Sequence, residues 1–251
     1  MRILLTNDDG IFAPGLAALY RVLIGLGEVV VVAPADSQSG TSHSVTFFEP
    51  LACTPVEIAD LFKGFGVYGS PADCVKLACM ALHKEPIDLV VAGINSGANV
   101  GINVYYSGTV AAAMEAAFLR IPSVALSLAA EPDMDFDRAA ELGVSLLAKL
   151  LPLQSGDVIN INIPRLSLGT PKGLRVVPQA TGGFHEYYIP TKNGRAGTFY
   201  QLAGGGHRPE AAPADTTALA EGFITVTALL ADMTNHAKTL ALKSQLDSIE
   251  S

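Results

Sequence analysis

The alternation of short apolar runs with helical patterns is the feature that most limits what this chain can fold into. Residues 1–6 are typical of a strand, residues 16–26 carry leucines at helical spacing, and residues 28–33 form a β-branched run after Gly27. A strand, a helix and a second strand in little more than thirty residues indicate a βαβ unit, which requires a parallel sheet.

The same alternation continues through the first two thirds of the chain. The pattern predicts helices over 71–83, 108–119 and 135–151, and strands over 88–92, 123–128 and 158–163. We therefore predict an α/β fold with a Rossmann-like, doubly wound, mainly parallel sheet. We assign this catalytic core to residues 1–172.

The texture of the sequence changes from about residue 173. Glycine, proline, threonine and aromatic residues dominate there, and they indicate hairpins and loops. A strand is expected over 225–230 and a closing helix over 235–248. We assign residues 173–251 to a hairpin arm and a C-terminal segment used in oligomerisation. The high hydrophobic content, 49% against 16% charged residues, favours surface buried between subunits.

Charge and cysteine usage exclude several classes of function. A net charge of −8 argues against a nucleic-acid polymer or an anionic membrane as the main partner. Three cysteines without a small-scaffold framework indicate a reducing compartment, and the spacing of Cys74 and Cys79 without a nearby histidine makes a poor zinc site. No secretion signal is visible, so we expect a cytoplasmic protein.

The pair Asp8 and Asp9 is the strongest candidate for chemistry. It follows the first strand, at the carboxyl edge of the sheet where doubly wound folds bind ligands, and Gly10 permits the chain to turn there. Two carboxylates about 4 Å apart repel by roughly 4 kcal/mol at an effective dielectric of 20, so the pair requires a cation or a shared proton. Oxygen ligands favour Mg²⁺ or Mn²⁺. An Asx turn that caps the next helix explains the same residues without a ligand.

Two further polar loops follow predicted strands in the same topological position. One covers residues 33–40 and includes Ser39, and the other covers residues 93–101 and includes Asn95. Each offers neutral oxygen atoms beside small residues, although each is also compatible with ordinary turn chemistry. Together with the acidic pair, the loops are expected to line one crevice.

The start of the helix over 108–119 is a candidate phosphate cradle. Ser107, Gly108 and Thr109 supply two hydroxyls and the free N–H groups of a first helical turn, which attract anions. Ser107 or Thr109 also suits a simple N-cap, and the two roles are compatible.

Several of these segments resemble the SurE survival-protein nucleotidase family. The resemblance is carried by Leu5-Thr6-Asn7-Asp8-Asp9-Gly10, Gly69-Ser70-Pro71-Ala72-Asp73-Cys74-Val75, Gly93-Ile94-Asn95-Ser96-Gly97, Tyr106-Ser107-Gly108-Thr109-Val110 and residues 111–115, 160–164 and 221–227. It extends over nearly the whole chain.

The resemblance implies a 5′/3′-nucleotidase that hydrolyses nucleoside monophosphates with one divalent metal ion per subunit, Mg²⁺ or Mn²⁺. Carried over residue by residue, the metal ligands are Asp8, Asp9, Ser39 and Asn95, and the phosphate-binding residues are Asn95, Ser107, Gly108 and Thr109. The resemblance also implies a homodimer or homotetramer tied by an exchanged arm, for which residues 181–206 are the candidate.

The sequence does not decide the catalytic mechanism, and alternative functions have to be compared with the predicted one. Asp8 and Asp9 are the predicted catalytic residues, and Asp8 serves either as general base or as nucleophile. His43, which follows Ser39 in the same loop, is the histidine to watch, although a solvated or core-satisfying histidine is the more usual explanation. An NAD-dependent oxidoreductase lacks its Gly-x-Gly-x-x-Gly turn here, and a serine hydrolase lacks its Gly-x-Ser-x-Gly elbow. The alternative from another class is a non-catalytic nucleotide-binding or stress-response module.

Overall fold

The computed structural model describes residues 1–58, 60–192, 197–207 and 213–247. Its strands are β1 (Arg2–Thr6), β2 (Glu28–Pro34), β3 (Cys53–Ile58), β4 (Phe62–Val67), β5 (Leu89–Ser96), β6 (Ser123–Leu128), β7 (Val158–Ile163), β8 (Leu174–Val176), β9 (Phe184–Lys192), β10 (Thr198–His207) and β11 (Ile224–Leu229). Its helices are α1 (Pro14–Leu23), α2 (Pro71–Leu77), α3 (Asn103–Tyr106), α4 (Gly108–Phe118), α5 (Phe136–Leu150), α6 (Asp215–Ala220) and α7 (His236–Asp247).

Nine of the strands form one sheet, in the order β3-β4-β2-β1-β5-β6-β7-β11-β8. The six strands from β4 to β7 in this order run parallel to one another. Strand β3 is antiparallel to β4, and β11 is antiparallel to β7. The predicted α/β fold with a Rossmann-like, mainly parallel sheet is therefore confirmed.

Helices cover both faces of the sheet and bury it. On one face, Leu16, Leu19 and Leu23 of α1 pack with Val144 and Leu147 of α5 against the strands. The opposite face carries α2, the turn that follows it, and α4, whose small residues form a second cluster with the strands; these residues are Cys74, Val75, Ala78, Ala112 and Ala116. Burial on both faces explains why the central strands read as continuous apolar runs in the sequence.

Strand order reverses between β1 and β5. The chain passes from β1 to β2 on one side, and later returns to place β5 on the other side of β1. In open α/β sheets, ligands bind at such a switch point, outside the carboxyl ends of the strands. The residues that follow β1 and β5 are therefore the first candidates for a ligand-binding site.

Some elements differ from the sequence prediction. Strands β3 and β4 were not predicted, because β3 is half exposed and interrupted by Pro55, and β4 contains Gly64 and Gly66. The helix expected over 71–83 is α-helical only as far as Leu77 and continues as a π-helical turn over Ala78–Leu82. The predicted closing helix is α7, and residue 248 lies outside the described residues.

The residues after 172 contribute to two parts of the molecule. Strands β8 and β11 extend the main sheet, whereas β9 and β10 pair as a separate antiparallel hairpin. The hairpin covers the candidate arm, of which residues 193–196 lie outside the described residues. The division at residue 172 stays a prediction. None of the helices in the described ranges combines the length and apolar character that a membrane span requires.

Candidate active site

Asp8 and Asp9 lie where the chain leaves β1 in a tight turn. The Asn7 side chain closes this turn, since its Nδ2 donates to the Gly10 carbonyl over 2.8 Å and its Oδ1 accepts from the Gly10 N–H over 3.2 Å. Gly10 has φ of 103°, a conformation that suits glycine. The turn ends the strand alternation, so that the two neighbouring carboxylates need not point to opposite faces.

The carboxylate of Asp8 is buried against the start of α4. Asp8 is 3% exposed, and its Oδ1 accepts a hydrogen bond of 2.5 Å from the Thr109 hydroxyl. Burial raises the pKa of Asp8, and the Asp9 charge adds to this, while the Thr109 hydroxyl and nearby backbone N–H groups act in the opposite direction. Burial raises the pKa more than the hydroxyl and backbone donors lower it, so a cation beside Asp8 would stabilise the charged form of its carboxylate.

Asp9 connects the turn after β1 to the end of β5. Asp9 is partly buried, and its Oδ2 accepts from the Ser96 N–H over 3.1 Å. Immediately before Ser96, the Nδ2 of Asn95 donates to the Gly97 carbonyl over 2.8 Å. This bond orients the amide and leaves its oxygen as the group that can bind a cation.

Ser39 lies on the irregular segment that follows β2. Its hydroxyl is 3.2 Å from the Ser37 hydroxyl, and the residue is exposed. One residue earlier, the Gln38 N–H donates to the main-chain carbonyl of Asp8 over 2.7 Å. The structure therefore brings the loop that carries Ser39 against the acidic turn, although Ser39 itself is less enclosed than Asp8.

The amino end of α4 closes the site on a further side. Ser107 caps the helix by accepting from the Val110 N–H over 3.1 Å, as one reading of the sequence predicted. A Cβ on Gly108 would lie 2.8 Å from the Asp8 Cβ and 3.1 Å from its Oδ2. Glycine at this position thus lets the start of the helix approach the carboxylate closely.

The predicted ligands suit a hard divalent cation. The carboxylates of Asp8 and Asp9, the hydroxyl of Ser39 and the amide of Asn95 are all oxygen ligands. Within the described ranges, no group of three or more histidine, cysteine, aspartate or glutamate side chains is placed to hold a metal. The pKa of the buried Asp8 carboxylate is raised by burial and by the Asp9 charge, and this is compatible with a bound ion beside it.

A second buried carboxylate, Glu115, lies near the other end of α4 and was not singled out from the sequence. Its Oε1 is 2.5 Å from Lys76 Nζ and its Oε2 is 2.9 Å from His43 Nε2. Burial acts to raise the pKa of Glu115, but the hydrogen bonds from His43 and Lys76 outweigh it, and the pKa is lowered. A single charged residue in an alanine-rich helix was the available signal, because such a charge needs buried partners.

A cavity of about 660 Å³ adjoins the carboxyl edge of the sheet. Ala98, Ala129 and Pro164, which follow β5, β6 and β7, line one part of it, and Arg165 and Lys172 supply positive charge. Its volume is within the range of small-molecule sites. None of the predicted metal or phosphate ligands lines this cavity, although Ala98 lies three residues after Asn95.

Comparison with known proteins agrees with this geometry. The family described as Survival protein SurE matches residues 3–186. The 5′-nucleotidase SurE of Rhodopirellula baltica is 44% identical over 93% of this chain and 94% of its own, and the 5′/3′-nucleotidase SurE of Erwinia tasmaniensis is 42% identical over 100% and 98%. The crystal structure of the SurE protein from Aquifex aeolicus superposes with a TM-score of 0.84 at 36% identity, covering 98% of this chain and 99% of that one. A match of this extent in sequence and in fold shows that the chain belongs to the SurE family.

Proposed function

We propose that this protein is a divalent-metal-dependent phosphatase that hydrolyses nucleoside 5′-monophosphates to nucleoside and phosphate, with 3′-monophosphates as a second substrate class. The observation that carries the proposal is the buried carboxylate of Asp8, which lies at the sheet's switch point against the amino end of α4. The names of the relatives, 5′-nucleotidase and 5′/3′-nucleotidase, support the same activity.

Asp8, Asp9, Ser39 and Asn95 hold one Mg²⁺ or Mn²⁺ ion per subunit in this proposal. Such an ion, when bound, offsets the repulsion between the phosphate and the carboxylates and activates water for attack. Asp9 also fixes the end of β5 through the Ser96 N–H, so the ligands from the two strands keep their relative position.

The amino end of α4 orients the phosphate. The Ser107 hydroxyl accepts from Val110, which leaves its own O–H to donate to an anion. Gly108 and Thr109 bring the first-turn N–H groups toward the same space, where the helix dipole favours negative charge. Asn95 completes the phosphate-binding set from the β5 side.

Asp8 takes the additional catalytic role, either as general base toward water or as nucleophile toward phosphorus. Its hydrogen bond from Thr109 fixes one carboxylate oxygen and directs the other toward Gly108. Acid quenching during turnover of a nucleotide labelled in its phosphate distinguishes the two roles. Only a nucleophile takes the labelled phosphoryl group onto the protein as the nucleoside leaves.

We extend the proposal to assembly and location. The hairpin exposes Tyr187, Tyr188 and Tyr200, and α7 has no buried residue in the described part of the chain, which supports a homodimer or homotetramer that covers these surfaces. Light scattering during size-exclusion chromatography measures the mass. The free thiols of Cys53, Cys74 and Cys79 support a cytoplasmic location.

The experiment measures phosphate release from a panel of 5′- and 3′-nucleoside monophosphates by metal-stripped protein, with Mg²⁺ or Mn²⁺ added back. We expect metal-restored release, which Asp8→Asn lowers by about 10²–10⁴-fold. Asp36→Asn is the matched control, since Asp36 is an exposed carboxylate in the same region, and it should retain activity. Folded protein that releases no phosphate with any metal would favour a non-catalytic nucleotide-binding module.

A further inference from the structure

The loop that carries Ser39 has little regular structure to hold it. Residues 35–52 contain neither helix nor strand, and Ser39 is exposed within them. A segment of this kind moves easily unless side chains attach it to rigid elements. The position of the Ser39 hydroxyl therefore depends on whatever fixes the loop on the two sides of it.

On one side, the loop is fixed next to Ser39 by the hydrogen bond from Gln38 to the Asp8 carbonyl. On the other side, the Ser42 N–H and hydroxyl donate to the Tyr106 and Tyr105 carbonyls over 3.2 Å and 2.6 Å, just before the start of α4. The next residue, His43, contacts α4 itself. Its Nε2 is 2.9 Å from Glu115 Oε2, and its ring stacks on Phe118 with centroids 5.4 Å apart and planes 12° apart. Because a carboxylate only accepts, Nε2 carries the proton and donates it.

Helix α4 connects this attachment to the candidate active site. Thr109 in its first turn donates to Asp8, and Glu115 lies six residues later, about 9 Å along the axis at 1.5 Å per residue. The His43 contact therefore places the loop relative to the same helix that contacts Asp8. Glu115 is 3% exposed, whereas the His43 side chain is 30% exposed, so the fixed end of the contact is the helix.

We propose that His43 is a positioning residue, which fixes the Ser39 loop relative to the amino end of α4 through its hydrogen bond to Glu115. This inference rests on the proposed function, because it assumes that Ser39 is a metal ligand. His43 itself touches neither metal nor substrate. Its loss is expected to loosen Ser39 and weaken the bound ion while the fold is kept.

The structure provides a matched control on the same carboxylate. Lys76 of α2 is the second partner of Glu115, at 2.5 Å, and it is not part of the loop. Lys76→Met removes one partner from Glu115, as His43→Ala does, but it leaves the loop attached. If both variants lose stability but only His43→Ala loses metal affinity, the effect of His43 is one of positioning and not of general stability.

The test measures Mn²⁺ affinity of the full-length protein by calorimetry, with the melting temperature of each variant as a check on folding. We expect His43→Ala to weaken Mn²⁺ binding about 10–100-fold, the usual effect of losing an outer-shell partner. His43→Gln, which keeps an N–H donor, should recover most of the affinity, and Lys76→Met should stay within about threefold of wild type. In a Ser39→Ala background, His43→Ala should have little further effect, because the two act through one ligand.

Several outcomes would overturn the proposal. His43→Ala with unchanged Mn²⁺ affinity, or an equal loss in Lys76→Met, would show that His43 serves the fold alone. An undiminished effect of His43→Ala in the Ser39→Ala background would show that His43 does not act through Ser39. Wild-type protein that binds Mn²⁺ but releases no phosphate from any nucleotide would contradict the proposed function, while the Mn²⁺ affinities of the variants would still test the role of His43. Wild-type protein that binds neither Mn²⁺ nor Mg²⁺ would remove both proposals.

Discussion

Two buried carboxylates lie at the two ends of α4, and they have opposite surroundings. Asp8, against the first turn, and Glu115, in the last turns, are each 3% exposed. Glu115 is paired with the Lys76 ammonium group and hydrogen-bonded to His43, and its pKa is lowered, whereas Asp8 has a hydroxyl partner and a neighbouring carboxylate, and its pKa is raised.

Burial is therefore a poor guide to function unless the partners are also known. Lys76 and His43 stabilise the charged form of Glu115, so the fold itself supplies the partners of this residue. A cation that stabilises the charged form of Asp8 would come from outside the fold, which is why we propose Asp8 as a metal ligand. Removing the charge of Glu115 and removing that of Asp8 should therefore change the stability of the protein in opposite directions.

Removing the Glu115 charge should produce the largest change in stability. Glu115→Gln leaves Lys76 and His43 without their shared carboxylate, and we expect a loss of about 3 kcal/mol in the free energy of unfolding, at the low end for buried pairs because both partner side chains reach water. Urea unfolding at neutral pH measures it. Arg138→Ala, which breaks an exposed pair with Glu141, is the control and should cost less than about 1 kcal/mol. A Glu115→Gln variant as stable as this control would contradict the comparison.

Filling the space between Asp8 and α4 should act mainly on activity. The added methyl group in Gly108→Ala would lie 2.8 Å from the Asp8 Cβ and 3.0 Å from the Pro71 Cγ, so one of these elements must shift. We expect phosphate release to fall about 10–100-fold, because displacement of reacting groups by a fraction of an ångström is costly. Steady-state assays with saturating metal measure the effect. Gly206→Ala, where nothing lies within 4 Å of the new methyl group, should retain activity.

Neutralising Asp8 should have a smaller effect on stability, and of the opposite sign to that of Glu115. In metal-free protein at neutral pH, Asp8→Asn removes a buried charge without a cationic partner, and we expect the free energy of unfolding to rise by about 1 kcal/mol or less. The unfolding is measured in the presence of a chelator. A clear loss of stability would mean that the protein already stabilises the Asp8 charge.

The smallest expected effect is on the way in which the free energy of unfolding depends on pH. The raised pKa of Asp8 means that the stability it contributes is full below its ordinary value of 3.8 and is lost as pH rises through the folded-state pKa. The lowered pKa of Glu115 means that its contribution is full above its ordinary value of 4.5 and is lost as pH falls through the folded-state pKa. Unfolding of metal-free wild type and of each variant between about pH 3 and pH 7 should show the two opposite trends. If both substitutions changed the pH dependence of unfolding in the same direction, the opposite pKa shifts of Asp8 and Glu115 would be contradicted.

Much of the fold was predictable because the central strands and the long helices have clear periodicity. Strands β6 and β7 begin and end where the sequence predicted, and β1 and β2 differ only at their ends. The half-exposed β3 and the glycine-containing β4 were missed, because their pairing comes from the tertiary fold and not from a local pattern.

The candidate site was predictable in its loops but not in its contacts. The turns at Asp8 and Asn95 and the capping residue Ser107 were all identified from position alone, and the roles assigned to them stay predictions. The contact of Thr109 with Asp8 joins residues 101 positions apart, and that of His43 with Glu115 joins residues 72 positions apart. No local pattern indicates which carboxylate will meet which donor over such separations.

The sequence by itself determined the α/β class, the SurE family and the segments that form the carboxyl edge of the sheet, because apolar periodicity and short motifs are local properties of the chain. Only the tertiary structure decided that Asp8 is buried beside a hydroxyl and a second carboxylate and that Glu115 is paired with Lys76 and hydrogen-bonded to His43. The charge state of a buried group depends on which distant side chains surround it, and packing alone fixes those neighbours.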